Sequence, residues 1–416
     1  VGYSADFYRR RNEGMDEFPY PFLDWDYLGA GADCWKRGIN VYISDPCDVL
    51  RRPHAYSPLW LRASFLPTGR LSTSLGGIAL DCCFFLSLYF TFKPVNWREV
   101  VVSGLAALST MVVYGLERGN ADVILFVMLV AAGVLATGPL LGRIGSYALL
   151  LVAGLLKFYP IIGLLIALRE RPRMLFRVGF VAAGIFLAFL YHYRLEIVLM
   201  RANIPVGGLD ANMFAASNLP TGLADVMGHF VPALRQPPLL PGIQMSFSVV
   251  LAIGLGMQVI RLCRNAAFTE AFSRLSEHDR IFFTLGSVLI AGCFVTGPSI
   301  EYRGVYLLFF IVGLIAMSRS TDDPAMRAKL VRLICMVVFL MWGGFFRRLV
   351  GPKSVLLVFL PQGVDWPLHL FRLGREVLWW YMVAFMLGVV IVFTVQSTTF
   401  ATLFRPRGST LPSATG

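Results

Sequence analysis

From residue 74 onward the chain is a succession of apolar runs, near 74–92, 99–115, 122–137, 146–168, 175–193, 245–261, 281–298, 303–318, 330–345 and 376–396, divided by polar turns. Repeated apolar runs of about 18 residues serve a bilayer, not a soluble core. Inside lipid no water pairs with an open backbone, so these runs must be helices. The pattern predicts an all-α polytopic membrane bundle of about ten or eleven spans over 74–396. Three long connections interrupt it: an opening polar run over 1–73, then 194–244 and 346–375. The last two are rich in Pro and Gly and read as loops with short helices. A short tail, 397–416, ends the chain.

Composition supports the membrane class. Of 416 residues, 56% are hydrophobic and 15% charged, with a mean hydropathy of +0.66. The net charge of +12 sits mainly in short loops, where it orients spans and meets anionic lipid heads; nucleic acid is not an expected partner. Arg169, Arg171, Arg173 and Arg177 form one basic turn. Arg261, Arg264, Arg274 and Arg280 form another, Arg319, Arg327, Lys329 and Arg332 a third, and Arg405 and Arg407 follow the last run. Read as cytoplasmic, they put the opening run, 194–244, 299–303 and 346–375 outside and the tail inside. Arg347, Arg348, Lys353, Arg372 and Arg375 then lie outside, against the rule. A single crossing by 146–168 would also leave 169–177 outside. The conflict disappears if that run breaks at Tyr159-Pro160 and returns, since proline removes a backbone donor and clashes one turn back. No signal peptide is assigned ahead of the opening run; a chain that starts at Val1 is read either as lacking an upstream span or as trimmed at its N-terminus.

The opening run is dense in acids (Asp24, Asp26, Asp33, Asp45, Asp48) and aromatics (Trp25, Tyr27, Trp35, Tyr42, Tyr56, Trp60). A carboxylate there can take the proton of an attacking hydroxyl, and aromatic rings such as Tyr56 can stack on sugars. Asp24 and Asp26 share a face in a strand but not in a helix. Further polar groups come from three turns. Asn120 and Asp122 suit a helix start or a polar substrate. Lys157 is a cation inside an apolar run and a functional candidate by default; with Tyr159 it suits an anionic phosphate. In Glu301-Tyr302-Arg303 the acid and base can simply pair, or Arg303 can meet an oxyanion with its planar fork. Five scattered histidines show no ligand spacing, and no metal site is expected. Cys82, Cys83, Cys263, Cys293 and Cys335 read as small apolar fillers; Cys34 and Cys47 can form a disulfide if the opening run is extracytoplasmic.

In order and spacing these residues resemble glycosyltransferase family 87, the polyprenyl-phosphate-mannose-dependent branch of the C-superfamily membrane glycosyltransferases. The resemblance runs through Asp24, Gly29-Ala30-Gly31-Ala32, Gly38, Tyr42, Tyr56-Ser57-Pro58-Leu59-Trp60, Gly119-Asn120-Ala121-Asp122 and Lys157-Phe158-Tyr159-Pro160. Beyond residue 160 it rests on hydropathy and on Pro298 to Arg303. It implies a C-superfamily bundle in a bacterial plasma membrane, with a polyprenyl-phosphate-linked sugar, mannose or another hexose, as donor. The acceptor would be an extracytoplasmic glycan or glycolipid, and transfer would invert the anomeric carbon. Asp24 or Asp26 would be the base, and Lys157, Arg303 and Tyr159 would meet the leaving phosphate. No cofactor is implied. The departures are the absence of a span ahead of the loop and the competition of Asp26 with Asp24. Two other classes fit the hydropathy: a transporter or flippase for a lipid-linked or anionic substrate, which predicts charges near the bilayer midplane and repeated halves, and a non-catalytic membrane subunit.

Overall fold

The computed structural model describes residues 20–66, 68–204, 213–235, 239–350 and 366–404. The start of the opening run, the middle of the 346–375 connection with Lys353, and the last part of the tail from Arg405, with Arg407, lie outside these residues.

The fold is helical almost throughout, as the apolar runs predict. In chain order the main helices are α1 (Leu23–Lys36), α2 (Arg70–Thr91), α3 (Trp97–Ala107), α4 (Thr110–Glu117), α5 (Ala121–Ala136), α6 (Leu140–Lys157), α7 (Pro172–His192), α8 (Arg194–Asn203), α9 (Asn218–Phe230) and α10 (Leu239–Cys263). They continue with α11 (Ala266–Ser273), α12 (Glu277–Thr296), α13 (Leu307–Ser320), α14 (Pro324–Met341), α15 (Gly343–Val350), α16 (Trp366–Gln396) and α17 (Thr398–Phe404). Seven helical segments are long and apolar enough to cross a membrane: α2, α6, α7, α10, α12, Glu301–Ser320 and α16. Two bent pairs, α3 with α4 at 50° and α14 with α15 at 66°, raise the number to nine if each is one broken span. Helix α5 and a 3-10 helix over Tyr159–Arg169 are apolar but shorter.

Local chemistry explains the starts. Asn120 accepts the Asp122 N–H at 3.0 Å and opens α5, and Asp323 accepts the Ala325 N–H at 2.9 Å with Pro324 at the first position of α14. Both are caps that satisfy otherwise orphaned donors. The run 146–168 does break at the expected place. Helix α6 stops at Lys157, Phe158 takes a left-handed φ of 60°, and the 3-10 helix leads away to Arg169. There Arg169 donates to the Ala136 carbonyl at 2.6 Å, beside the end of α5. Eleven residues at about 2.0 Å rise give the return arm a length of about 22 Å.

The core lies where α12, α13 and α16 meet. Leu307 to Met317 of α13 are all buried, as expected of a helix apolar on every side, and Phe126 stacks on Phe309 at 4.6 Å. At the other extreme, only Val259 and Leu262 of α10 are buried, so this helix offers its length to lipid. Helix α16 starts ten residues before the apolar run that marks it in the sequence. Arg375 and Glu376 interrupt the hydropathy there, yet both are buried in the helix and paired.

The opening run is folded onto the bundle. A disulfide joins Cys34 at the end of α1 to Cys47, with Cα atoms 6.0 Å apart. It closes a loop over Val41, Tyr42 and Leu61. Replacing both cysteines with serine is expected to cost about 3 kcal/mol, by loop-closure entropy, read as a lower melting temperature of the oxidised protein with no shift under reductant.

Candidate active site at one end of the bundle

A backbone junction sets the site. The Phe22 N–H donates to the Glu117 carbonyl at 2.8 Å and the Asp24 N–H to the Arg118 carbonyl at 2.9 Å. The start of α1 is thereby docked on the turn after α4. Gly119 occupies that turn with φ +57°, and a Cβ there would stand 3.0 Å from the Trp25 Cβ and 3.3 Å from the Phe22 Cβ. Both the left-handed backbone and the close approach demand glycine. Gly119→Ala is expected to destabilise the protein by about 1–3 kcal/mol and to lower any activity of the site in parallel, checked by melting temperature and assay on the same preparation.

Helical geometry sends Asp24 and Asp26 to different partners. Arg118 grips Asp24 with two parallel bonds, Nε to Oδ2 and Nη2 to Oδ1, each 2.9 Å. Arg52 Nη1 donates to Oδ1 at 2.8 Å and Asn120 Nδ2 to Oδ2 at 2.7 Å. Four donors fill the acceptor sites of one carboxylate. Burial pushes the Asp24 carboxyl up, but Arg118, Arg52 and Asn120 outweigh it and hold it well below the usual carboxylate range. Asp26 instead accepts from the Thr73 hydroxyl at 2.8 Å, the Gly69 N–H at 3.2 Å and the Tyr20 hydroxyl at 2.8 Å. It ties α1 to the start of α2, which is a positioning task. The other acids also find places. Asp48 is bonded to Arg52 Nε and Nη2, each at 3.0 Å. Asp33 pairs with Arg37 at the surface. Asp45 caps its own turn, accepting from the N–H groups of Cys47 and Asp48, and burial pushes its carboxyl up to about 6.

The second carboxylate, Asp122, is fully buried. Lys157 Nζ donates to its Oδ2 at 2.5 Å, the Tyr159 hydroxyl donates to Oδ1, and the Tyr306 hydroxyl lies 3.1 Å from Oδ1. The ammonium of Lys157 also faces the rings of Tyr56 at 4.9 Å and Tyr302 at 5.3 Å, a cation–π setting. Arg303 comes close without closing on the acid. Its Nη1 donates to Ser299 Oγ at 2.7 Å, its Nε stands 4.0 Å from Asp122 Oδ2, and that Nε is buried with no hydrogen-bond partner among the described residues.

The structure thus brings together Asp24, Asn120, Asp122, Lys157, Tyr159, Tyr302, Arg303 and Tyr56, contributed by α1, the 54–60 segment, α5, the α6 break and the 299–306 turn. Two expectations are corrected. Glu301 does not join them: it is bonded to Arg375 Nη1 at 2.5 Å, a buried guanidinium that also holds Glu376 at 2.9 Å and the Met213 carbonyl at 3.0 Å. It is a strut between the 301–306 turn and α16. Nor is Lys157 an open phosphate contact, since Asp122 already neutralises it. Sequence reasoning missed Arg52, Tyr306 and the pairing role of Arg118. Arg118 directly precedes the Gly119–Asp122 turn, Tyr306 is hidden in an apolar run, and Arg52 lies in an Arg-Arg-Pro stretch that carries no signal of its own. Cys34, Asp45 and Cys47 bring their ligand atoms within 4.8 Å of one another, but the two sulfurs are bonded to each other.

The class these features define is a predominantly helical polytopic membrane protein with a buried ionic cluster at one end. No family model, no curated protein and no solved structure matches the chain.

Proposed function

We propose that the protein is a membrane glycosyltransferase that moves a hexose, mannose by resemblance, from a polyprenyl-phosphate donor to an extracytoplasmic acceptor with inversion. The observation that carries the reading is the charge at the cluster. Four cations (Arg52, Arg118, Lys157, Arg303) stand against three carboxylates (Asp24, Asp48, Asp122). The excess lies at Arg303, whose buried Nε stands 4.0 Å from Asp122 and has no hydrogen-bond partner among the described residues. A buried polar group without a partner costs roughly 1–3 kcal/mol, and a phosphate oxygen would satisfy it. Tyr56 and Tyr302 present aromatic rings beside the Lys157 ammonium, the kind of surface on which a sugar ring stacks.

The chemistry is a single displacement. The acceptor hydroxyl attacks the anomeric carbon, the bond from that carbon to the phosphate oxygen breaks, and polyprenyl phosphate leaves with the electron pair. Arg303 stabilises the departing charge. The hydroxyl proton passes to Asp24. With all four acceptor positions filled, Asp24 must first lose a donor, and Arg52 is the one that can leave. Its side chain is 23% exposed against 7% for Arg118, and Asp48 already holds it from the other side. Arg52 swinging away opens one of the two acceptor positions on Oδ1, the other still held by Arg118 Nη2, and raises the proton affinity of the carboxylate. Counting α5, the Tyr159–Arg169 arm and both bent pairs gives eleven crossings, in a C-superfamily type of bundle. With that many crossings and the basic turns read as cytoplasmic, the cluster faces outside; a bacterial plasma membrane is what the resemblance implies. The lipid tail of the donor accounts for a site at the ends of the spans.

Proteoliposomes loaded with sugar-labelled polyprenyl-phosphate-mannose separate this reading from a flippase. Transfer moves the label from the polyprenyl-phosphate donor onto an added glycan or glycolipid acceptor, read by separating donor from acceptor. Intact polyprenyl-phosphate-mannose that appears in the opposite leaflet, with no label on the acceptor, would refute it.

A further inference from the structure

The opposite end of the bundle holds a cavity of about 310 Å³ where the start of α6, the end of the Tyr159–Arg169 helix, the first turn of α12 and the α16–α17 junction meet. Three guanidinium side chains line it: Arg143, Arg169 and Arg280, with Phe393 and Ile281 forming an apolar flank. Two of the three are balanced. Arg143 Nε lies 3.2 Å from Glu170 Oε1, and Arg169 pairs with Glu277. Arg280 has no carboxylate within ion-pair range among the described residues. It donates Nη2 to the Ser273 carbonyl at 2.8 Å, its Nε is buried without a hydrogen-bond partner among those residues, and its guanidinium sits 5.6 Å from the Phe272 ring centroid. The cavity wall therefore carries one positive charge that no acid among the described residues balances, in a partly enclosed, partly apolar setting where such a charge is poorly screened.

We infer that this cavity binds a phosphate monoanion through Arg280, assisted by Arg143 and Arg169. One negative charge matches the one in excess, and guanidinium forks suit phosphate oxygens. A phosphodiester headgroup of a membrane lipid and free dihydrogen phosphate share that chemistry. Phe393 and Ile281 suit the first carbons of a lipid. The cavity is independent of the ionic cluster described above, from which the eleven-residue return helix separates it by about 20 Å.

The test uses the full chain in phosphatidylcholine nanodiscs. Its melting temperature is followed as phosphatidylglycerol replaces part of the neutral lipid, and separately as inorganic phosphate is added to millimolar levels. The wild type is expected to be stabilised by at least one of the two; a response to lipid alone assigns the headgroup, and a response to phosphate alone assigns the free ion. Arg280→Gln is expected to weaken the response about tenfold or more, in line with removal of one partner of a close charge pair. Thr398 lines the cavity at an exposed position, so Thr398→Glu puts a carboxylate there without disturbing packing. It is expected to abolish the response even if Arg280→Gln fails to fold. Wild type unmoved by both ligands, or Thr398→Glu responding like wild type, overturns the proposal.

Discussion

Asp122→Ala is expected to destabilise the folded protein by about 3–5 kcal/mol, the usual consequence of leaving one partner of a buried ion pair alone. Lys157 is 8% exposed at its side chain and Asp122 is 0% exposed, with 2.5 Å between them. Removal of the acid leaves an ammonium facing two tyrosine rings, with Arg303 close by. Lys157→Met should do similar damage by stranding Asp122. The double variant Asp122→Leu/Lys157→Met is the informative one, because an ion pair replaced by apolar groups of similar volume is often neutral in stability. It is expected to recover most of the melting temperature and none of the transfer activity. Full stability of Asp122→Ala alone would mean that the pair does not hold the α5 start to the α6 break.

Asp24→Asn is expected to lower transfer by a factor of about 10²–10⁴, the range that proton transfer by a positioned group contributes. Asparagine keeps one acceptor, so part of the Arg118 and Arg52 contacts survives, but it sets an amide donor against donors and takes no proton. Asp26→Asn is the matched control. One oxygen can still serve Thr73 and Gly69, so it is expected to lose some stability and keep most transfer. Equal losses in both would deny Asp24 its separate role. A pH series adds a check on the same carboxylate. Its proton affinity is lowered on folding by Arg118, Arg52 and Asn120. The stability it contributes is therefore complete above about pH 5 and lost progressively as pH falls below about 4, toward its folded value. Asp24→Asn should flatten that acid limb of the melting curve. Asp45 works the other way. Buried and raised to about 6, it favours the fold below its unfolded value, and that contribution is lost as pH rises through 6.

Much of the architecture is legible without coordinates, because hydropathy reports directly on what a bilayer demands of a helix. The break at Tyr159-Pro160 is a sharper case: a charge-parity conflict and one proline locate it, and the chain reverses within two residues of Lys157. The start of α16 is not legible, since Arg375 and Glu376 lower the local hydropathy while their mutual pairing lets the helix bury them. The site is legible as a set of turns and illegible as a set of bonds. Alternating acids at 24 and 26 say nothing of which meets Arg118 until the region is known to be helical. Glu301 and Arg303 sit two residues apart in sequence, yet one reaches α16 and the other approaches Asp122. Hydrogen bonds from Arg52, some 28 residues from Asp24, depend on a disulfide-closed loop whose path no local pattern encodes.

The most direct measurement is single-turnover release of polyprenyl phosphate from polyprenyl-phosphate-mannose by the reconstituted protein, wild type beside Asp24→Asn at equal folded amounts. The account predicts acceptor-dependent release by the wild type and release slower by two orders of magnitude or more in the variant. Release by Asp24→Asn at the wild-type rate, or none by a folded wild type supplied with donor and a range of glycan and glycolipid acceptors, would contradict it.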